Sequence, residues 1–294
     1  MRLSWIASAL VASTAVMAAP AVDEVQIAAR ATSGVNDYNC KPQAGKDPVI
    51  FLHGLGAPSG VNWFTKAPIV AANGYCVFTP QYGSVNQIWF GFASMRSSSK
   101  EVAGIVQKVL AATGAKKVNI VGHSMGTTVG SYYIKFDGGK DVVNHFVGFG
   151  ANYKGSTLYG VNALVRTIPG VTPALRAVCA SCDEFLPPSQ FLTDLQAGGV
   201  SVPGVDYTTI VSNLDQIVIP YTSGLLREEP AVTNIVIQEQ CGLIPDIAGH
   251  LAQAVDPNVT AWILWALGGK QGKIPGCIPN LIPFKRDDEF ILDA

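Results

Sequence analysis

The sequence predicts an α/β fold with a mostly parallel central sheet, flanking helices and a small cap-like insertion. Short apolar runs alternate with longer segments of helical periodicity, which is the pattern of repeated strand–helix–strand units. Glycine-rich turns directly follow two of the apolar runs. Of the 294 residues, 48% are hydrophobic and 14% are charged, so the chain can form the core of one large domain.

The strand signals come first in chain order at residues 48–52, which end at His53-Gly54, and at residues 75–79. Further strands are predicted at residues 118–121, 145–149, 207–211 and 232–238. The predicted helices run from an N-cap among Ser97, Ser98 and Ser99 to about Ala112, from the second glycine-rich turn to about Phe136, and from Pro257 to about Leu267. Such alternation places parallel strands side by side beneath covering helices.

The segment from about residue 156 to residue 204 interrupts this alternation. It holds several prolines and two cysteines between short helical pieces. We expect this insertion to pack over the carboxyl ends of the strands as a cap or lid, with a decorated surface loop as the alternative. Residues 38–294 are otherwise predicted to form a single domain.

The N-terminus predicts a secretory signal peptide over residues 1–19. Arg2 precedes a short apolar run, and small residues close the run at Ala18-Ala19. The run is short for a membrane span of about 20 residues, so we expect cleavage rather than an integral membrane anchor. Residues 20–37 are predicted to be an N-terminal arm or a short pro-segment. The protein is therefore expected to be secreted.

Six cysteines follow the predicted signal peptide, and an even number in a secreted chain predicts disulfides. Several pairings are open, of which the sequential one is the simplest: Cys40 with Cys76, Cys179 with Cys182, and Cys241 with Cys277. A redox or zinc motif at Cys179 and Cys182 is the alternative, although no second C-x-x-C accompanies it. The sequon at Asn258 predicts a site of N-glycosylation.

The charge balance excludes one class of partner. With 20 basic and 21 acidic residues, the net charge is −1, so the chain has no basic surface for nucleic acid or for a membrane. The mean hydropathy of +0.28 is high for a soluble chain. It indicates either a large core or exposed apolar surface near an apolar ligand.

The segment Gly122-His-Ser-Met-Gly126 has the G-x-S-x-G pattern between a β-branched strand and a helix with small residues. In this context the pattern predicts a sharp turn that holds a nucleophilic serine at the tip of a strand. Glycine is needed because side chains at the flanking positions would collide with the neighbouring strand and helix. Ser124 is thus the candidate nucleophile, and a helix N-cap serine is the alternative.

A nucleophilic serine needs a base, and the chain has four histidines. His53 directly follows the first strand, and His123 lies inside the turn itself. His145 leaves almost no chain after Ser124 for an acid. His250, in a loop before the last helix, is therefore the candidate base, since the usual order on such a fold is serine, acid, histidine.

The acid is expected after a late strand, between Ser124 and His250. Asp215 follows the strand at residues 207–211 by a few positions and is the candidate. Asp246 is close enough in sequence to support His250. The other candidates for the acid are Asp183, Glu184, Asp194, Asp206, Glu228, Glu229 and Glu239. The backbone N–H groups of Met125 and Leu55 are the candidate donors to an oxyanion.

These residues resemble the class 2 family of secreted microbial triacylglycerol lipases, fungal and actinobacterial, within the α/β-hydrolase superfamily. The segments that carry the resemblance are Pro48-Val-Ile-Phe-Leu-His-Gly54, Asn73-Gly-Tyr-Cys-Val-Phe78, Gly122-His-Ser-Met-Gly126, Tyr153-Lys-Gly-Ser156, Asp215, Ile219-Pro-Tyr-Thr-Ser223, Gln240-Cys241 and His250-Leu251. The resemblance runs from about residue 37 to residue 277. It is not specific between about residues 157 and 203, where members of the family vary.

The resemblance implies an α/β-hydrolase catalytic domain with Ser124, Asp215 and His250 as its triad. It implies Leu55 and Met125 as oxyanion donors, the three sequential disulfides and no cofactor. The implied substrates are acylglycerols or similar water-insoluble carboxylic esters. The loop His-Gly-Leu is typical of relatives that take medium or long acyl chains.

The predicted function is therefore a secreted serine carboxylic-ester hydrolase, with a lipase as the leading interpretation. A cutinase-like polyesterase, an esterase for small esters, an acyltransferase and a peptidase use the same triad and are alternatives. A binding protein that has lost catalysis is a further alternative. The presence of both Ser124 and His250 argues against it. The expected partner is a lipid or another water-insoluble ester, and the oligomeric state stays open.

Overall fold

The computed structural model describes residues 34–281. The predicted signal peptide and most of the predicted arm lie outside the described residues, as do residues 282–294. The end of the arm adds to the edge of the sheet. The backbone N–H of Asn36 donates to the carbonyl of Val77 at 2.7 Å, and that of Val77 donates to the carbonyl of Gly34 at 3.0 Å.

Six strands form one sheet in the order β2-β1-β3-β4-β5-β6, and every neighbouring pair is parallel. The strands are β1 (Val49–Leu52), β2 (Val77–Phe78), β3 (Val118–His123), β4 (Val143–Phe149), β5 (Asp206–Val211) and β6 (Val232–Val236). The sheet confirms the predicted α/β fold. Strands β1 and β3 are buried along their whole length, as expected for a parallel sheet covered on both faces.

The helices are α1 (Ser59–Trp63), α2 (Lys66–Ala72), α3 (Met95–Thr113), α4 (Met125–Phe136), α5 (Val161–Thr167), α6 (Val171–Val178), α7 (Ala180–Phe185), α8 (Gln190–Gln196), α9 (Ile237–Cys241) and α10 (Pro257–Leu267). Single 3₁₀ turns cover Gly139–Asp141, Leu158–Gly160, Tyr221–Gly224 and Ala252–Ala254. Helices α3 and α4 pack in the core on one face of the sheet, and α2 and α10 pack on the other.

The predicted start of helix α3 is wrong. Ser94 is the N-cap, because its hydroxyl accepts a hydrogen bond from the backbone N–H of Ser97 at 3.1 Å. Serine stands at several neighbouring positions, so the sequence does not show which hydroxyl accepts from the first turn of the helix. The predicted end near Ala112 is confirmed to within one residue, because the helix ends at Thr113 and Gly114 follows with a φ of 75° that favours glycine.

Helices α5 to α8 constitute the insertion. Asp183 ties its parts together, because this buried carboxylate accepts from Arg166 of α5 and from Arg176 of α6. The same pairs hold the pKa of Asp183 below its usual value. Glu184 accepts from the backbone N–H of Met95, which joins the insertion to the start of α3.

The three disulfides join Cys40 to Cys76, Cys179 to Cys182 and Cys241 to Cys277. The sequential pairing is therefore confirmed, and the zinc alternative for the second pair is wrong because the two sulfurs are bonded to each other. Within residues 34–281, no helix combines the length and the hydropathy needed to cross a membrane.

The structure argues against the predicted glycan at Asn258. The side chain is 2% exposed. Its Nδ2 atom, which would carry the sugar, donates to Asp246 Oδ2 at 2.8 Å and to the carbonyl of Ile278 at 2.9 Å. A folded chain with these contacts has no room for a glycan, because attachment requires an exposed amide. Instead, Asn258 links the start of α10 to the segment after Cys277.

Replacement of Asn258 by alanine should lower the free energy of unfolding by about 3 kcal/mol, since it removes three hydrogen bonds of this buried side chain and leaves Asp246 without one donor. Urea denaturation measures this change. The electrophoretic mass of the wild-type protein should be the same before and after endoglycosidase treatment. A mass shift on treatment would show that the sequon is used after all.

Candidate active site

Ser124 occupies the sharp turn between β3 and α4, with φ 53° and ψ −123°. This is a strained backbone conformation for a residue other than glycine. The two flanking glycines allow the backbone of this turn to lie very close to neighbouring backbone atoms. A Cβ atom on Gly126 would lie 2.0 Å from the carbonyl oxygen of Leu52, and one on Gly122 would lie 2.7 Å from that of Gly126. The Ser124 side chain makes no N-cap hydrogen bond, which removes the alternative role as a helix cap.

The structure brings the three predicted triad residues together. Ser124 Oγ lies 2.8 Å from His250 Nε2, and His250 Nδ1 lies 2.7 Å from Asp215 Oδ2. All three side chains are buried. A carboxylate only accepts hydrogen bonds, so the imidazole proton belongs on Nδ1 and leaves the Nε2 lone pair for the hydroxyl of Ser124.

Hydrogen bonds to the second carboxylate oxygen of Asp215 fix the position of this side chain. Its Oδ1 accepts from the backbone N–H groups of Ile217 at 2.8 Å and Val218 at 2.7 Å. The His250 loop is fastened separately, because the backbone N–H of His250 donates to Gln216 Oε1 at 3.2 Å. These bonds fix the relative positions of the acid and the base before any substrate binds.

Several of the other candidate carboxylates have partners away from His250. Asp194 pairs with Arg96, Asp206 with Lys270, and Glu229 with Arg227 and Ser201. Asp246 accepts from Asn258, from Asn280 and from the backbone N–H of Ala248. It therefore supports the loop that carries His250 rather than the imidazole itself.

His53 is not among the predicted site residues, but the structure places it against the loop that carries Leu55. It is fully buried, and burial lowers its pKa to about 4, so the ring is neutral near neutral pH. Its Nδ1 contacts the carbonyl oxygen of Gly54 at 2.9 Å. Its Nε2 contacts the side-chain nitrogen of Gln81 at 3.1 Å and the backbone N–H of Tyr82 at 3.3 Å. Nε2 is therefore the acceptor, and Nδ1 carries the proton and donates to Gly54.

This hydrogen bond fixes the direction of one backbone N–H. In a planar trans peptide, the carbonyl of one residue and the N–H of the next point in opposite directions. His53 holds the Gly54 carbonyl, so the N–H of Leu55 is turned the other way. Asn62 Oδ1 accepts the Gly54 N–H at 2.9 Å and fastens the preceding peptide as well. Sequence patterns show that a histidine is present, but not which ring nitrogen bears the proton.

The depressed pKa of His53 predicts a dependence of stability on pH. Between pH 6.5 and about 4, the unfolded chain binds a proton at this residue that the folded chain does not bind. The free energy of unfolding should thus fall by roughly 3 kcal/mol as the pH is lowered through this window. His53→Gln, which can still donate to Gly54, should flatten the fall when urea denaturation is repeated at several pH values. An equal slope in both proteins would contradict this assignment.

Both candidate oxyanion donors border the same cavity as Ser124. Its volume is about 150 Å³. Its lining comprises Gly54, Leu55, Ala57, His123, Ser124, Met125, Asn152, Ser181, Phe185, Ile217, His250 and Leu251. Within residues 34–281, no acceptor is found for the backbone N–H of Leu55 or for that of Met125. Two free N–H groups beside a nucleophile can stabilise negative charge that develops on a bound carbonyl oxygen.

The remaining histidines have structural positions. His123 is buried against Phe149, with ring centroids 4.8 Å apart, and its Nε2 lies 3.2 Å from the carbonyl oxygen of His250. Burial lowers its pKa well below the usual value, and the neighbouring His250 adds to this effect. His145 lies within β4. Neither of these side chains has a hydrogen bond with Ser124.

Comparison with known proteins places the chain in a family. Residues 46–241 match the family described as lipase (class 2), which includes Ser124 and Asp215 and ends before His250. A triacylglycerol lipase of Vibrio cholerae serotype O1 is 28% identical over 131 residues, which are 43% of this chain and 37% of that protein.

Two solved lipases share the fold. Lipase B of Aspergillus fumigatus has a TM-score of 0.61 and 21% identity, over 87% of this chain and 59% of that chain. The mature form of Bacillus licheniformis lipase BlEst2 has a TM-score of 0.52 and 18% identity, over 72% of this chain and 88% of that chain. The chain spans less than two thirds of the Vibrio and Aspergillus proteins. Because the family match covers more than half of the chain and the sheet is that of the α/β-hydrolases, the protein belongs to the class 2 lipase family.

Proposed function

We propose that the protein hydrolyses carboxylic esters through a triad of Ser124, His250 and Asp215. The observation that carries the proposal is the unbroken chain of hydrogen bonds from Ser124 Oγ through His250 to Asp215 Oδ2. A buried hydroxyl whose proton can pass to a neutral imidazole, itself oriented by a carboxylate, has the arrangement of an activated nucleophile.

The proposed reaction has two steps. Ser124 Oγ attacks the ester carbonyl carbon while His250 Nε2 takes the hydroxyl proton. The tetrahedral oxyanion accepts hydrogen bonds from the N–H groups of Leu55 and Met125. The intermediate then collapses, the bond to the alcohol oxygen breaks, and His250 returns the proton to the leaving alcohol. Water repeats the sequence on the acyl-enzyme, which frees the acid and restores Ser124.

The substrate is proposed to be an apolar ester such as an acylglycerol. Most side chains around Ser124 in the cavity are apolar. Leu251 at the cavity is 53% exposed, and Trp89, near the loop that carries Leu55, is 56% exposed. Apolar side chains beside an opening favour contact with a water-insoluble substrate. The name of the Vibrio relative supports the same class.

An esterase for small esters is the second candidate, because the cavity is only about 150 Å³ in volume.

We also propose that the enzyme acts outside the cell as a single catalytic domain over residues 38–294, after removal of the signal peptide at residues 1–19. Three disulfides in the described part of the chain support an oxidising compartment.

The proposal is tested with p-nitrophenyl esters and with an organophosphate, diethyl p-nitrophenyl phosphate, which modifies activated serines. We expect the protein to hydrolyse the esters, and we expect this activity to fall in proportion to the fraction of protein that the organophosphate has modified. One diethylphosphoryl group should be found, on the peptide that contains Ser124. Mass spectrometry after digestion locates the group. The absence of hydrolysis for every ester, or modification at a different serine, would contradict the proposed function.

A further inference from the structure

We propose that helix α7 forms the wall against which the acyl chain lies, and that Phe185 limits this chain to about six carbon atoms. The inference rests on the proposed function, because it assigns the substituents of an ester bound at Ser124. It concerns the insertion, where sequence comparison within the family is least informative.

The proposed reaction places different parts of the ester against different walls of the cavity. The oxyanion of the tetrahedral intermediate must point to the N–H groups of Leu55 and Met125. The leaving oxygen must lie within reach of His250 Nε2, because His250 protonates it. The alcohol part therefore lies on the side of His250, where Leu251 and Ile217 line the cavity. The acyl chain takes the remaining direction of the tetrahedron.

In this proposal helix α7 is the wall that meets the remaining direction, because two of its residues line the cavity. Of the other lining residues, Ser181 and Phe185 belong to α7, Asn152 is fully buried, and Ala57 has a small side chain. Ser181 is small, so the ring of Phe185 is the bulky group on this wall. An apolar ring is a suitable surface for methylene groups.

Helix α7 is held at both ends, which makes it a defined wall rather than a loose loop. Near its start, Ser181 Oγ donates to the carbonyl of Gly91 at 2.5 Å. At its end, the carbonyl of Phe185 accepts from the backbone N–H of Ser156 at 3.3 Å. The chain approaches closely here, since a Cβ atom on Gly155 would lie 2.3 Å from the Phe185 carbonyl oxygen.

The size of the cavity sets the length of chain that fits. Its volume of about 150 Å³ equals that of protein cavities that hold one benzene molecule, so an acyl chain that shares this space with the rest of the ester has room for at most about six carbon atoms. A longer acyl chain needs more space than this wall leaves. The expectation of medium or long acyl chains from the His-Gly-Leu loop is thus replaced by a preference for short chains, with Phe185 as the residue that sets it.

The test compares kcat/KM for p-nitrophenyl esters from acetate to palmitate in the wild type, Phe185→Ala and Phe185→Leu. We expect the wild type to be most active between butyrate and hexanoate. In Phe185→Ala the ratio of octanoate to butyrate activity should rise about tenfold, because methylene discrimination in an apolar pocket has this size. Phe185→Leu should be intermediate. Phe136→Ala is the matched control, since Phe136 is 46% exposed at the far end of α4, and its chain-length profile should equal that of the wild type.

Each outcome decides the inference. A wild-type preference for palmitate, or an unchanged profile in a Phe185→Ala protein that still cleaves acetate, overturns the role of Phe185 and leaves the proposed function intact. If Phe185→Ala is inactive towards all esters, the profile of Phe185→Leu decides in the same way. If the wild type cleaves no ester, the proposed function fails and the inference fails with it.

Discussion

Replacing Ser124 by alanine should lower kcat for ester hydrolysis by about 10⁶-fold, which is the loss seen when the nucleophile of a comparable triad is removed. No other hydroxyl is hydrogen-bonded to His250 Nε2 in the described part of the chain, so no residue there can take over the attack. The measurement is the initial rate on p-nitrophenyl butyrate with wild type and variant purified side by side.

Ser131→Ala provides the matched control. Ser131 lies on the same helix α4 and is buried, and its Oγ has no hydrogen-bond partner within residues 34–281. Its loss should leave kcat within about twofold, because no hydrogen bond is broken. Full activity in Ser124→Ala, or an equal loss in both variants, would rule out Ser124 as the nucleophile.

The sheet and the turn at Ser124 could be predicted from the sequence because their signals are local. The run at residues 118–121 is rich in β-branched residues and is followed by Gly122, and the two glycines around Ser124 are required by contacts within a few ångströms. The three residues of the candidate triad could also be predicted from the sequence, since few histidines are available and Asp215 stands just after a late strand. Chain order on a parallel sheet then limits the choices.

Other features depend on contacts between distant segments, and the sequence does not show them. Lysine is normally a surface residue, yet Lys66 is fully buried. Its Nζ donates to the carbonyl of Asp256 and to Thr260 Oγ1, both at 2.9 Å. Burial lowers its pKa to about 7. The tautomer of His53 and the position of α7 beside Ser124 are likewise set by residues far away in the chain.

At Asn258, a local sequence signal predicts an accessible side chain that the tertiary structure buries. The three-residue sequon is a local signal, and it indicates an accessible amide. In the fold, however, this amide meets Asp246 and the chain after Cys277, so burial removes the role that the local pattern predicts. A short motif predicts function only where the tertiary structure leaves its side chain accessible.

Replacing Asp215 by asparagine should lower kcat by about 10⁴-fold while the fold persists. The amide NH₂ facing His250 Nδ1 is a donor, so the imidazole proton moves to Nε2, which can then no longer accept from Ser124. Initial rates on p-nitrophenyl butyrate measure the loss.

Asp246→Asn is the matched control, since Asp246 is also a buried carboxylate but has no hydrogen bond with the imidazole. It should lose stability and keep kcat within about tenfold. If Asp246→Asn loses more activity than Asp215→Asn, then the acid of the triad has been assigned to the wrong residue, because only the carboxylate that orients His250 can control its tautomer.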